Sequence, residues 1–227
     1  MHDRIGDSGS ASPTAECPKP PKRQRLGREQ RRIQLVEAAV GLIGSLGIQA
    51  TTVSKISAAV GLSEMAAYRH FGSKDEILVE ASSHLYGRIF SWLDSSTNPC
   101  VLERLHELAM SHFDALSADL DGFTGPYLQF LTMTRGEGPL HRSIAENNLL
   151  LQEKITGIAA EGIAEGSLRA DMDPFLFAHE YIGWFLAEDV HCLADLREGT
   201  FSRASHLRML HLMLRDAAAP GYYPATP

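Results

Sequence analysis

The chain of 227 residues is short of several things. Its three cysteines, Cys17, Cys100 and Cys192, lie far apart, and no Cys-x-x-Cys pair occurs. That excludes a disulfide framework and a cysteine zinc motif, and it suits a reducing cytosol. No apolar run approaches the roughly 18 residues of a membrane-spanning helix, and the N-terminus lacks the apolar core of a signal peptide. There is no phosphate-binding loop, no nucleophile elbow and no His-Glu-x-x-His, so an enzyme is not expected. Gly6-Asp7-Ser8-Gly9 superficially matches the nucleophile segment of a serine protease, but no strand flanks it and a flexible tail cannot hold a rigid site. No alternating strand pattern and no internal repeat stands out.

Basic charge is scarce too. The net charge of −7, taken alone, argues against nucleic acid as a partner. Its distribution argues the other way. Residues 1–74 carry 11 Lys/Arg against 6 Asp/Glu, whereas residues 75–227 carry 10 against 22. Such asymmetry suggests a basic, nucleic-acid-facing part joined to an acidic remainder. A hydrophobic content of 44% is ordinary for a globular protein and allows a real core.

What is present is organised around residues 51–78, TTVSKISAAVGLSEMAAYRHFGSKDEIL. Val53, Ile56 and Val60 recur at i, i+3 and i+7, one apolar face of a helix. Thr51 precedes it, and Thr52 is placed to cap it. Gly61 fits a left-handed C-terminal cap. Ser63 can cap a second helix over 64–70, with Glu64 on its positive end. Gly72 stops that helix, and Ser73 with Glu76 predicts a capping box for a third. Two helices joined by a three-residue turn containing glycine make a helix-turn-helix, whose second helix enters the DNA major groove.

These residues carry a resemblance. The stretch resembles the DNA-binding domain of the TetR family of transcriptional regulators, in which a Thr pair and an apolar helix precede Gly-Val/Leu-Ser, a short helix ending Tyr-x-His-Phe, and Ser-Lys-Asp/Glu. Thr51, Thr52, Gly61, Leu62, Ser63, Tyr68, His70, Phe71, Ser73, Lys74 and Asp75 match in register. The match runs from about residue 29 to 78; beyond it only the helical layout is similar. Two positions depart: Ile48 stands where an aromatic is usual, and Met65 where a small residue is common. The second bears on operator sequence, not on the fold.

The whole chain reads as all-α: an N-terminal three-helix helix-turn-helix domain and a C-terminal helical bundle, about nine helices in total. Residues 1–27 are expected to form a disordered arm. Its run of Lys19, Lys22, Arg23, Arg25 and Arg28 is either a solvated tail or an arm that touches phosphates or the minor groove. Residues 28–73 form the DNA-binding domain. Residues 74–218 form the ligand-binding and dimerisation domain, and 219–227 a frayed tail. Helices are expected over 28–46, 74–93, 100–118, 126–133, 139–165, 174–196 and 201–217 besides the two of the motif. A turn is expected over 119–125 and a flexible link over 135–139. Ile33, Val36, Val40 and Ile43 widen the first helix's apolar stripe of Leu35, Ala39, Leu42 and Leu46. Gly41 and Gly44 within it point to close packing against a neighbouring helix.

The resemblance implies that Thr52, Tyr68 and Lys74 hold DNA phosphates, with Thr51 assisting. A hydroxyl, a phenol and a lysine at a helix N-terminus suit that role. Ser63, Glu64, Met65, Ala66, Tyr68, Arg69 and His70 are the residues expected to face DNA. Arg69 reads a guanine edge or grips phosphate, and Met65 and Ala66 pack on a thymine methyl. Glu64 accepts from a cytosine amino group or serves only the helix dipole. Phe71 and Leu62 belong in the core.

The helices over 174–217 are too apolar to leave in water. In the family the last two helices of two protomers form a four-helix bundle, so a homodimer through about residues 174–217 is expected, on a palindromic double-stranded DNA operator. The family also places an effector pocket mid-bundle. Trp92, His112, Phe113, Phe123, Tyr127, Phe130, Met133, Tyr181 and Trp184 cluster there, and an apolar or aromatic small molecule is the implied ligand. Its binding would shift the helix beginning at Lys74, respace the recognition helices and release the operator, most simply as a repressor. Two alternatives stay open. Glu188, His191 and Cys192 share a helix face and could hold Zn²⁺, although a charged helix end does the same without metal. Otherwise no cofactor is implied. The protein could instead recruit a protein partner on DNA and sense no small molecule. The expected setting is cytoplasmic and nucleoid-associated, with no membrane partner.

Overall fold

A computed structural model describes residues 27–116, 120–133, 137–194 and 203–222, with only the backbone at 120 and 121. The basic arm before Gly27, residues 135 and 136 of the expected link, the break at Gly199 and the last five residues lie outside them. Among the described residues there are nine α-helices and no strand. They are α1 (Arg28–Leu46), α2 (Val53–Ala59), α3 (Glu64–Ala67), α4 (Lys74–Leu93), α5 (Val101–Leu116), α6 (Gly125–Thr132), α7 (Pro139–Glu165), α8 (Pro174–Leu193) and α9 (Arg203–Ala217). The all-α reading of the sequence therefore describes the fold.

The helix starts follow from short polar side chains. The hydroxyls of Thr52, Ser63 and Ser73 each accept the backbone N–H three residues on, at 3.2 Å. Asp173 accepts from both Phe175 and Leu176, and Pro174, which has no N–H to satisfy, sits next to it. Glu76 reaches back as expected, but to the N–H of Gly72 at 2.7 Å rather than to that of Ser73. Gly47, Gly61 and Gly166 sit at positive φ just past α1, α2 and α7, where a Cβ would be strained.

Four features differ from expectation. α3 is regular only over Glu64–Ala67, because bonds from Arg69 to Ala66 and from His70 to Ala67 tighten its last turn. The expected turn over 119–125 is instead a π-helical turn, Leu120–Thr124, running directly into α6. Gly41 meets nothing within 4 Å, so close packing does not explain it. Ile33 and Leu46, counted in the apolar stripe of α1, are exposed, as are Leu149 and Leu150 of α7.

The core runs unbroken through the molecule. At the helix-turn-helix end Leu35, Ile43, Ile56, Ala67 and Phe71 pack with Ile77 and Ala81 of α4. Further along α4, Leu85, Tyr86 and Ile89 belong to the bundle with Leu105, Ile155, Tyr181 and Phe185. Each buried Leu, Ile or Phe among them contributes about 1.5–3 kcal/mol. Because α4 is anchored in this core at both ends, a displacement of α4 in the bundle reaches the helix-turn-helix.

Candidate functional site

Ser63, Glu64, Met65, Tyr68 and Arg69 project from the α3 region into solvent. Met65 is 75% exposed, more than any other large apolar side chain among the described residues, and Tyr68 is 42% exposed. His70 is half-buried; burial and the surrounding Arg28, Arg32, Arg69 and Arg31 hold its imidazole below the ordinary range. Two residues expected to face DNA are turned inward in the folded chain. Ala66 is buried, because a one-turn helix must give its inner face to the core. Thr51 is fully buried, and its hydroxyl donates to the carbonyl of Gly47 at 2.9 Å, closing the end of α1. Thr52 remains on the surface with its oxygen on the cap of α2. Phe71 is core and Leu62 packs against it, as expected.

The Lys74 ammonium, at the start of α4, donates to the carbonyl of Ile48 at 3.1 Å. An ammonium has three donors, so it can hold this carbonyl and a phosphate together. The Arg32 guanidinium on α1 donates to the carbonyl of His70, pairs with Glu76 and Glu80 on α4, and lies 4.2 Å over the Phe71 ring. It ties the end of the recognition turn to α1 and α4. No motif in the sequence marks Arg32; only its distant partners reveal the role. Gln129 of α6 was missed for the same reason. Its amide nitrogen donates to the carbonyl of Ile43 at 3.0 Å, and its oxygen accepts the N–H of Ile48 at 2.8 Å.

Within the bundle is a cavity of about 280 Å³. α4 contributes Arg88, Ile89 and Trp92; α5 contributes Ser111, His112 and Ala115. Phe123 of the π-helical turn, Tyr127 of α6 and Leu151 and Ile155 of α7 continue the wall, which Ile182, Phe185, Leu186 and Asp189 of α8 complete. Four of the nine pocket residues expected from sequence are in it: Trp92, His112, Phe123 and Tyr127. The other five are not. Phe130 and Tyr181 are fully buried core, the Tyr181 hydroxyl donating to the carbonyl of Leu105 at 2.6 Å. Phe113 and Trp184 instead flank His206, and Met133 packs against the core elsewhere. The missed aliphatic residues read as ordinary core at helical spacing.

The polar groups of the wall are mostly engaged. The Trp92 indole donates to Ser111 at 2.8 Å, and the Tyr86 hydroxyl behind the wall donates to Asn148 at 2.5 Å. Tyr127 is hydrogen-bonded to Tyr86. Burial pushes the Tyr86 phenol up to about 12 and Tyr127 well above its ordinary value, so both stay neutral. His112 Nε2 lies 3.1 Å from Asp189 Oδ1.

The three residues weighed as a metal site are not gathered. Glu188 pairs with His206 at 3.3 Å, and the Cys192 thiol faces the carbonyl of Leu116 at 3.5 Å. Among the described residues no three His, Cys, Asp or Glu side chains come together. Nor is any described helix long and apolar enough to cross a membrane. The aromatic residues that made α8 look too apolar for water turn mostly inward: Phe177, Tyr181, Trp184 and Phe185 are buried. The outward face of α8 carries Leu176, Gly183, Ala187, Val190 and Leu193 together with the polar His179 and Glu180, joined on α9 by Arg208, Met209 and Leu212.

Residues 35–81 match the family model described as bacterial regulatory proteins, tetR family. The chain is 30% identical over 147 residues to the HTH-type transcriptional repressor KstR2 of Mycolicibacterium smegmatis, covering 63% of this chain and 70% of that protein. It is 24% identical over 159 residues to the fatty acid metabolism regulator protein of Bacillus subtilis, covering 64% and 75%. In fold it is similar to a TetR transcriptional regulator from Chloroflexus aurantiacus, with a TM-score of 0.72, 19% identity, and coverage of 85% and 98%.

Proposed function

Since this chain belongs to the TetR family of transcriptional regulators, we propose that it is a dimeric repressor whose grip on a palindromic operator is released by a small apolar effector. The observation that carries this reading is the junction of cavity and clamp. Tyr127 lines the cavity, and Gln129, two residues along α6, holds the backbone where α1 gives way to α2. An effector that repacks Tyr127 or Trp92 biases α6 and α4, and both lead to the helix-turn-helix.

On the DNA side, Thr52, Tyr68 and Lys74 serve as phosphate contacts, and Glu64, Met65 and Arg69 as the base-facing residues, with Ser63 and His70 at the edges. One short recognition helix gives little affinity by itself, so a twofold partner is required. The outward face of α8 and α9 supplies it: Gly183 and Ala187 allow close approach, and Leu176, Val190, Met209 and Leu212 bury apolar surface. Repression is favoured because one relative is a named repressor and a compact dimer occludes a promoter. The apolar cavity wall fits a lipid-like or ring-bearing metabolite and speaks against a protein that only recruits partners.

The test is a titration of the purified full chain against DNA upstream of its own gene at two salt concentrations, followed by a ligand screen on the complex. Two protomers per palindromic site and release by an apolar ligand are expected. Weak, sequence-indifferent binding, or a complex that survives every ligand, would overturn the respective half of the reading.

A further inference from the structure

The cavity wall is apolar except at a few points, and one of them stands out. Asp189 is 2% exposed, and His112 faces it with its Nε2 3.1 Å from Asp189 Oδ1. Distance alone makes them a pair. Yet neither atom has a hydrogen bond of good geometry among the described residues. A buried carboxylate oxygen and a buried ring nitrogen left this way cost stability. The neighbouring polar groups do not relieve them: Ser111 is taken by Trp92 and by the carbonyl of Leu108, and Tyr127 is turned to Tyr86. Phe185 packs edge-on against the His112 ring at 4.7 Å and holds it against the cavity.

We propose that His112 and Asp189 form a hydroxyl-recognition site, so that the effector is an apolar molecule carrying one alcohol group at its buried end. This rests on the reading of the cavity as the effector site. The chemistry selects the alcohol. With a proton on Nε2, His112 offers a donor, and the Asp189 carboxylate offers an acceptor. A hydroxyl accepts from the one and donates to the other, satisfying both atoms at once. A ketone or an ether accepts from His112 and leaves Asp189 unmatched. A carboxylate meets repulsion from Asp189, and an amine presents its charge to the Nε2 proton. A site built to hydrogen-bond a hydroxyl discriminates strongly against analogues lacking it, since its buried polar groups are then left unpaired.

The experiment uses the full chain and two matched probe series. One is decalin-2-ol, decalin-2-one and 2-methoxydecalin; the other is 2-decanol, 2-decanone and 2-methoxydecane. Binding is followed by tryptophan fluorescence, which Trp92 in the wall makes sensitive to occupancy. The alcohol is expected to bind at least about tenfold tighter than its ketone and ether in one or both series. Asp189→Leu should abolish that preference while leaving the ketone affinity within about twofold, and Asp189→Asn, which keeps an acceptor oxygen, should restore part of it. A thermal melt of each variant checks that it folds, and His112→Gln serves if Asp189→Leu does not. Equal binding of alcohol, ketone and ether would overturn the hydroxyl site and leave the effector cavity standing. No binding of any probe would overturn both. Retention of the alcohol preference in Asp189→Leu would move recognition elsewhere and overturn the assignment.

Discussion

The side-chain oxygen of Gln129 accepts a hydrogen bond from the backbone N–H of Ile48 at 2.8 Å, while Lys74 binds the carbonyl of the same residue at 3.1 Å. Ile48 is thus gripped from α6 on one side and from α4 on the other, at the turn between the first two helices of the DNA-binding domain. Both gripping helices also line the cavity.

That arrangement makes Gln129→Ala a separation-of-function variant. It should leave operator affinity within about threefold of wild type, yet weaken effector-induced release by about fivefold, the scale of a coupling energy near 1 kcal/mol. Titration of the operator complex with effector reads both quantities. Unaltered release would remove Gln129 from the relay.

Tyr68→Phe combined with Lys74→Gln addresses the phosphate contacts. The glutamine keeps a donor for the carbonyl of Ile48 and removes the charge. Binding should weaken equally on operator and random DNA, and the slope of log affinity against log salt should flatten by about 1. An unchanged slope would strike Lys74 from the contacts.

Val190→Glu places a charge on the outward face of α8, where the side chain is already 50% exposed in the single chain. The folded monomer should keep its melting temperature at low concentration. Sedimentation should show the dimer lost, and operator affinity should drop by about two orders of magnitude with it. A dimer that persists would put the interface elsewhere.

Gly162→Ala should cost on the order of 1–2 kcal/mol, against the usual gain from replacing a helical glycine. A Cβ there would come within 2.8 Å of Val101 and 2.7 Å of Leu168. Gly162 also lends its carbonyl to the N–H groups of Gly166 and Leu168, so the backbone has little room to retreat. Urea denaturation measures the difference.

Stability should also fall as the pH drops below about 6.5. His70 and His106 both titrate below the ordinary 6.5, chiefly because burial disfavours the imidazolium. The unfolded chain therefore takes up protons near pH 6.5 that the folded chain still refuses. Stability from these groups is complete above that pH and is lost progressively below it, as the pH falls toward the lower values of the folded chain. His106→Gln should flatten the urea midpoint against pH over this window.

The helix-turn-helix was legible because its signals are local. Thr52, Ser63, Ser73 and Gly61 act on backbone groups one to three residues away, and the apolar spacing of Val53 and Ile56 needs only the helical period. Ala66 turns inward because successive positions on a helix differ by about 100°, and what packs behind α3 decides which of them faces the core; Thr51, ahead of α2, is buried because its hydroxyl closes the end of α1 on the carbonyl of Gly47. The pocket was half legible. Aromatic residues announce themselves, but Ile89, Leu151 and Ile182 look the same in a cavity wall as in a filled core. Tyr181 and Trp184 look like pocket residues until their own partners are seen.

Composition, periodicity and capping residues by themselves determined that the chain is helical, where its helices begin, and which of them carries the DNA-reading motif, since each of those depends on neighbours along the chain. The tertiary structure alone decided which faces turn inward, that Arg32 and Gln129 tie the motif to the bundle, and that His112 meets Asp189 across the cavity. Those relationships join residues 38 to 86 positions apart, and sequence separation says nothing of distance once α4 and α8 both pack against α7.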